Sequence, residues 1–339
     1  MKIEVKYLKA LWIGVFFLLL VLSFQNCSKN SNKFNSSSTT EEISNKNPTI
    51  LFKSSFGPGV SLDAVTKFTD EGAWQEVIGT DKESGFTWPV DALDSTFTGI
   101  QMITKDPVTS LNVSDYAINS IQSVIGPNGK TVNALYQSIK NKEPAGVWGA
   151  QSPLIIHRPW TVGDVTELYI SYWYKNPKIS FIQLDNEISG ANTLVQFQFK
   201  TGGYENTWRG DYRFSTVIKK DVDGSYFWQA HSDNNANGPD PDELYWEAEN
   251  HDVSVPIDEW YKVEIYWYRS SSNNGYFWVA INGDTIVDHQ GANMGKYGFP
   301  INRIMIDSLY TGGHGPVEGN LTELEIWNGF PCGWKTTCF

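Results

Sequence analysis

From Leu168 onward, apolar and polar residues alternate in short runs. Leu168-Tyr169-Ile170-Ser171-Tyr172-Trp173-Tyr174, Leu194–Lys200 and Tyr212–Ile218 are rich in β-branched and aromatic residues. So are Tyr226–His231, Leu244–Glu249, Trp260–Tyr268, Tyr276–Asn282, Ile301–Leu309 and Leu321–Trp327. A period of two is that of a strand with one face on a core and the other outward. Gly, Asn, Asp or Pro separates most runs, and Asn282-Gly283-Asp284 is the turn chemistry of a tight hairpin. Earlier in the chain, Phe52–Phe56 and Val132–Ile139 read as strands, and residues 57–100 as loop with short pieces. No helical period is sustained and no internal repeat occurs. The pattern predicts an all-β fold, a sandwich or jelly roll.

Alternation also assigns faces. Gln196, Gln198 and Lys200 fall opposite Val195, Phe197 and Phe199; Gln229 and His231 fall opposite Trp228 and Ala230. Tyr245, Glu247 and Glu249 fall opposite Leu244, Trp246 and Ala248, and Lys262, Glu264, Tyr266 and Tyr268 opposite Tyr261, Val263, Ile265 and Trp267. A face mixing amides, charges and rings suits a sugar groove, because rings stack on sugar C–H faces while amides and carboxylates bond hydroxyls. It is also the ordinary solvent side of an antiparallel sheet. Glu247 and Glu249, about 6–7 Å apart on one strand face, read either as the carboxylate pair of a glycoside hydrolase or as a solvated acidic face.

Composition narrows the classes. Aromatic residues make up 14% of the 339, which excludes a disordered chain. A net charge of −12 argues against a nucleic-acid partner, whose phosphates need Lys and Arg. No Gly-rich phosphate cradle and no nucleophilic triad signature is present. Asp233–Asp242 is rich in Asn, Asp, Pro and Gly, a set of oxygen donors for a structural Ca²⁺ or a plain loop; it lacks EF-hand spacing. No other cofactor is implied, and a monomer is expected.

The N-terminus reads as an export signal over residues 1–26. Lys2, Lys6 and Lys9 precede Ala10–Phe24, an apolar run of 15 residues, shorter than the ~20 a spanning helix needs. Phe24-Gln25-Asn26-Cys27 resembles a bacterial lipoprotein signal, with Phe24 and Asn26 where that family carries Leu and a small residue. The resemblance implies a lipid on Cys27, a membrane attachment through it, and residence in the cell envelope, at the outer membrane or cell surface. A plain cleaved signal and an uncleaved anchor are the alternatives. Residues 27–48, mostly Ser, Asn, Lys, Thr and Glu, read as a solvated tether, leaving 49–339 as one folded domain. With Cys27 acylated, Cys332 and Cys338 are the two cysteines left, and an oxidising compartment favours a disulfide between them.

A second resemblance rests on the order Trp260–Trp267, Val279-Ala280-Ile281-Asn282-Gly283, Ile301–Met305, Tyr310-Thr311-Gly312-Gly313 and Leu324–Pro331. Leu168–Trp173, Gly79-Thr80-Asp81 and Gly85-Phe86-Thr87-Trp88-Pro89 add to it. Together these are similar to the concanavalin A-like lectin/glucanase superfamily, nearest its polysaccharide-lyase-like bacterial members. The resemblance implies a jelly-roll β-sandwich and a polysaccharide partner. Gln229-Ala230-His231 resembles the Gln-x-His element of alginate-lyase-like jelly rolls, in which Gln helps neutralise a uronate carboxylate and His takes the C5 proton. It implies β-elimination with His231 as base, Gln229 and either Arg209 or Arg213 as neutralisers, and Tyr212 as acid. The family's later Tyr-x-Lys-x-Gly-x-Tyr element is absent after residue 260, so no motif fixes the acid. Gln196, Gln198, Lys200, Tyr245, Glu247 and Glu249 are the expected substrate-binding set. A non-catalytic adhesion or structural lipoprotein, and a hydrolase using the carboxylate pair, stand as alternatives.

Overall fold

A computed structural model describes residues 48–68, 72–88, 98–102, 117–140, 152–158, 163–185, 193–207, 209–234, 241, 243–306, 310–311 and 316–331. The export signal, Cys27, most of the tether, Cys332 and Cys338 lie outside the described residues. The chain divides into Met1–Ile43 and Ser44–Phe339, and the fold is that of the second unit. No helix among the described residues is long and apolar enough to cross a membrane.

In chain order the strands are β1 (Thr49–Ser54), β2 (Val60–Leu62), β3 (Thr66–Phe68), β4 (Gly72–Thr80), β5 (Thr87–Trp88), β6 (Thr98–Met102), β7 (Ala117–Ile125), β8 (Thr131–Ile139), β9 (Leu154–His157) and β10 (Glu167–Lys175). They continue as β11 (Thr193–Thr201), β12 (Arg213–Lys220), β13 (Tyr226–Asp233), β14 (Leu244–Asn250), β15 (Trp260–Tyr268), β16 (Tyr276–Ile281), β17 (Asp284–Gln290), β18 (Ile301–Ile306), β19 (Tyr310–Thr311) and β20 (Val317–Asn328). Among the described residues one short α-helix, α1 (Ile182–Asp185), follows β10 after a 3-10 turn over Lys178–Phe181, and a second 3-10 turn spans Tyr204–Asn206. The smaller sheet runs β17-β16-β15-β10-β20-β8-β7, with β1 also on β20. The larger runs β14-β13-β12-β11-β18-β9-β6-β4-β2, with β19 on β11 and β3 and β5 on β4. The pairings are antiparallel. This is the all-β sandwich expected of the alternation.

The inner faces meet in one core. Leu168, Ile170, Tyr172, Tyr261, Ile265, Trp267 and Phe277 face Leu194, Phe197, Phe199, Phe214, Trp228 and Ile304. Rings interlock across the gap: Phe214 lies 3.7 Å from Phe277 and Phe199 4.8 Å from Trp267, centroid to centroid. The Asn282-Gly283 turn joins β16 to β17 with both residues at positive φ, 51° and 90°, the geometry that suits the right-handed strand twist. The segment 57–100 holds more strand than its composition suggests. β4 spans nine residues, although Gly72, Gly79, Gln75 and Glu76 blur its period.

Register shifts interrupt several strand pairs, and two of them carry expected site residues away from the outer face. Between Val195 and Phe197 the β11–β12 register shifts, so Val195 still pairs with Val217 while Phe197 pairs with Thr216. Gln196 is the extra residue, and it turns into the core. Its Oε1 accepts from Asn176 Nδ2 at 2.9 Å and from the Tyr261 hydroxyl. A second shift lies between Ser232 and Asp233, where β13 meets Leu244–Trp246 of β14. There Tyr245 leaves the outer face: its ring stacks on the buried Tyr212 at 5.7 Å and its hydroxyl donates to the Asp211 carbonyl.

Candidate functional site

The outer face of the larger sheet carries the candidate chemistry, and antiparallel register sorts it into lines across the strands. One line is Glu247, His231, Ser215, Gln198, Met305 and Ile155, on β14, β13, β12, β11, β18 and β9. The next is Asp233, Arg213, Lys200, Arg303 and His157. A third holds Glu249, Gln229, Val217 and Val195. Directly opposed side chains in such lines stand about 5 Å apart at Cβ.

The centre of this face is shielded rather than open. Gln198 is 6% and Ser215 1% exposed, and Gln198 Oε1 and Ser215 Oγ are buried without a hydrogen-bond partner. A buried polar atom left unpaired costs about 1–3 kcal/mol, so the centre of this face carries a local cost to stability. At one flank Trp74, Ile155 and Met305 form a small apolar cluster on the same face, and Trp74 lies 5.2 Å from His157.

His231 keeps about a quarter of its side chain exposed, at 24%. Burial pushes its pKa below the ordinary histidine value; Asp233 opposes this, and Arg213 and Lys219 add to it. A histidine so placed is neutral at neutral pH, the state of a general base. Its Nε2 lies 3.8 Å from Asp233 Oδ2. Asp233 is itself the bidentate partner of Arg213, whose Nε donates to both carboxylate oxygens at 3.0 and 3.1 Å and whose Nη2 donates to Oδ2. Gln229 Nε2 donates to Glu249 Oε1 at 3.2 Å.

Of the expected site residues, the face brings together His231, Gln229, Arg213, Gln198 and Lys200. Glu247 and Glu249 stand on its edge strand β14, exposed. They are neighbours on one strand, and Glu249 also lies 3.4 Å from His251. Three expectations fail on position. Gln196 is turned into the core by the first bulge and Tyr245 toward the core by the second. Tyr212 lies on the side opposite Arg213, fully buried, its hydroxyl accepting from Trp246 Nε1. Burial raises its pKa to about 12. Arg209 lies exposed in the loop between β11 and β12, outside the lines. Among the described residues no tyrosine side chain stands in these lines. Lys262, Glu264, Tyr266 and Tyr268 do share a face, but on the smaller sheet, where Tyr169 donates to Glu264 and Tyr266 to Glu167, each at 2.7 Å.

Sequence alone missed Ser215, Asp233, Arg303, His157 and Trp74. Asp233 was within reach of parity, two residues beyond His231; Arg303 was not, because a register shift at Asn302 puts it on the face opposite the core residue Ile301. His157 ends Leu154-Ile155-Ile156, whose burial on both faces erases alternation. Burial, reinforced by Arg303, pushes the His157 pKa to about 3, so it stays neutral. In the Asp233–Asp242 loop, residues 235–240 and 242 lie outside the described residues. Among the described residues no group of three or more His, Cys, Asp or Glu side chains is arranged to hold a metal ion.

No family model matches the chain, and no curated protein does. Solved structures similar to it include the alginate lyase Aly36B, at 17% identity and a TM-score of 0.42 over 64% of this chain and 85% of that one. An endo-β-1,4-glucuronan lyase from the fungus Trichoderma reesei matches at 14% identity and 0.41 over 64% and 91%. Domain 4 of AbnA, an extracellular arabinanase from Geobacillus stearothermophilus, matches at 15% and 0.33 over 80% and 94%. At such identity and superposition the likeness does not carry a residue's role across.

Proposed function

We propose that the outer face of the larger sheet binds a uronate-containing polysaccharide and that His231 takes the sugar's C5 proton in a β-elimination. The observation that carries the reading is a partly exposed histidine, His231, standing beside a register line of three cations, Arg213, Lys200 and Arg303. The adjacent line of Arg213, Lys200 and Arg303 supplies positive charge for carboxylates, which the net charge of −12 does not. In the reaction an imidazole nitrogen of His231 forms the new N–H bond. The C5–H pair becomes the C4=C5 double bond, the C4–O bond breaks, and the departing oxygen takes a proton from solvent. Gln229 and the cations stabilise the charge that develops on the carboxylate.

A second reading, binding without cleavage, is favoured by the lack of a tyrosine in the described lines and by the engagement of Arg213 with Asp233. Incubation with a panel of uronate polymers separates the two. Under elimination, wild type generates an ultraviolet-absorbing 4,5-unsaturated product and His231→Ala does not, while both bind the polymer. Under binding alone, neither generates product. A panel with no binding and no product refutes the site. Placement at the cell envelope through a lipid on Cys27 belongs to the same proposal: fatty-acid labelling is expected in wild type and lost in Cys27→Ala.

A further inference from the structure

Asp233 fills the guanidinium fork of Arg213 on the outer face, both carboxylate oxygens against its Nε and Nη2. A guanidinium recognises a uronate carboxylate through the same two-point geometry. Asp233 Oδ2 also stands 3.8 Å from His231 Nε2, too far for a hydrogen bond and near enough to become one with a small side-chain rotation. One carboxylate is therefore placed between a cation that a uronate would take over and the base that acquires a proton.

We propose that Asp233 is an internal stand-in for the substrate carboxylate: an incoming uronate displaces it from Arg213, and the released Asp233 turns to hydrogen-bond His231. The inference rests on the function proposed above and names Asp233 as a positioning residue that sets selectivity for charged over neutral sugars. A neutral sugar cannot displace Asp233, so Arg213 stays closed to it. A uronate replaces Asp233 in the ion pair with Arg213, and the freed carboxylate gains a hydrogen bond from His231, which offsets part of the cost of opening the site. The exchange conserves charge: Arg213 trades one carboxylate for another, and the freed carboxylate faces an imidazole about to become positive. The other charged groups around His231 are Arg213 and Lys219 on β12, and Glu247 directly across on β14. None of them bridges the Arg213 fork and His231 as Asp233 does.

The test uses the folded protein, a glucuronate trisaccharide and its carboxyl-reduced, neutral counterpart, with affinity read by calorimetry and the His231 imidazole followed by NMR against pH. Asp233→Asn is expected to bind the acidic trisaccharide about five-fold tighter, the loss of one competing charged contact, with the neutral one unchanged. In the free protein its His231 titrates at lower pH than in wild type, because the nearby negative charge is gone. Asp233→Glu restores both behaviours in part and guards against misfolding, which a thermal melt monitors. If the acidic trisaccharide binds wild type and Asp233→Asn equally, the stand-in role is wrong while the binding face survives. If neither sugar binds either protein, the binding face fails and the exchange with it. An unchanged His231 titration in Asp233→Asn overturns the pairing without any sugar present.

Discussion

Gln196 and Gln198 stand two residues apart on β11, and a regular strand would give them the same surroundings. The bulge gives them opposite ones, so their substitution to alanine has opposite consequences. Gln196→Ala removes the Oε1 that accepts from Asn176 and Tyr261 inside the core. The Tyr261 hydroxyl, fully buried, retains only the contact with Asn176 Nδ2 at 2.6 Å, and a small cavity opens. One or two weakened buried hydrogen bonds at about 1–3 kcal/mol each, with modest relaxation, give a loss of about 3 kcal/mol. For a domain of this size that lowers Tm by roughly 5–10 °C. Gln198→Ala instead removes a buried atom that had no partner, so stability changes by less than about 1 kcal/mol. If a glycan hydroxyl pairs with that atom, affinity falls about five-fold. Urea or thermal denaturation of both variants, with calorimetry against a uronate oligosaccharide, reads the contrast. Equal melting temperatures, or a Gln198→Ala loss as large as that of Gln196→Ala, would refute the assignment of the two side chains to opposite faces, and the denaturation arm decides this without any ligand.

Two further outcomes follow from packing and charge. The His157 pKa lies far below its ordinary 6.5, at about 3. The unfolded chain therefore binds a proton the folded one refuses, and stability falls as pH drops below 6.5 and levels off near the folded value. By linkage this single group accounts for on the order of 2 kcal/mol lost between about pH 6.5 and about pH 4.5; His157→Gln should flatten that limb in denaturation curves, and an unchanged slope would remove the assignment. Phe330 covers the outer face of the smaller sheet, 5.2, 5.0 and 5.7 Å from Tyr169, Tyr266 and Trp278. Phe330→Ala should cost about 2 kcal/mol and leave glycan affinity unchanged, since it lies on the other sheet; a change in affinity without a change in melting would contradict the placement.

The fold was legible wherever one face of a strand is buried and the other is not. β13 reads correctly residue by residue, with Trp228 and Ala230 inward and Gln229 and His231 outward, because its partners keep register along Tyr226–Ser232. The Asn282-Gly283 turn was legible because its geometry demands positive φ at two successive residues. What alternation could not show is an inserted residue. The sequence around Gln196 continues a perfect period of two, and only pairing with β12 reveals that one position is skipped. Tyr245 was misplaced for the same reason. Tyr212 was misassigned by disregarding parity in favour of chemistry: adjacent to Arg213 in the chain, it had to face the other way. His157 and Ile155 escaped because a strand covered on both sides has no polar side to betray its orientation.

β20 has a consequence for how the chain acquires its shape. This 12-residue strand is the last described element, yet it lies in the interior of the smaller sheet, bonded to β10 on one side and to β8 and β1 on the other. Among the described residues β1, from the beginning of the domain, pairs only there, with Ser54 opposite Leu324. A chain emerging from its N-terminal end thus exposes the edges of β1, β8 and β10 until nearly the whole domain has been delivered. Pairings so distant in sequence are slow to form, and unpaired edges invite association between chains in the meantime. Under the export proposed above, the same topology supplies a useful delay. Were the chain exported as proposed, the sandwich would not complete its smaller sheet until β20 had crossed, and the order of the strands would favour assembly after transit.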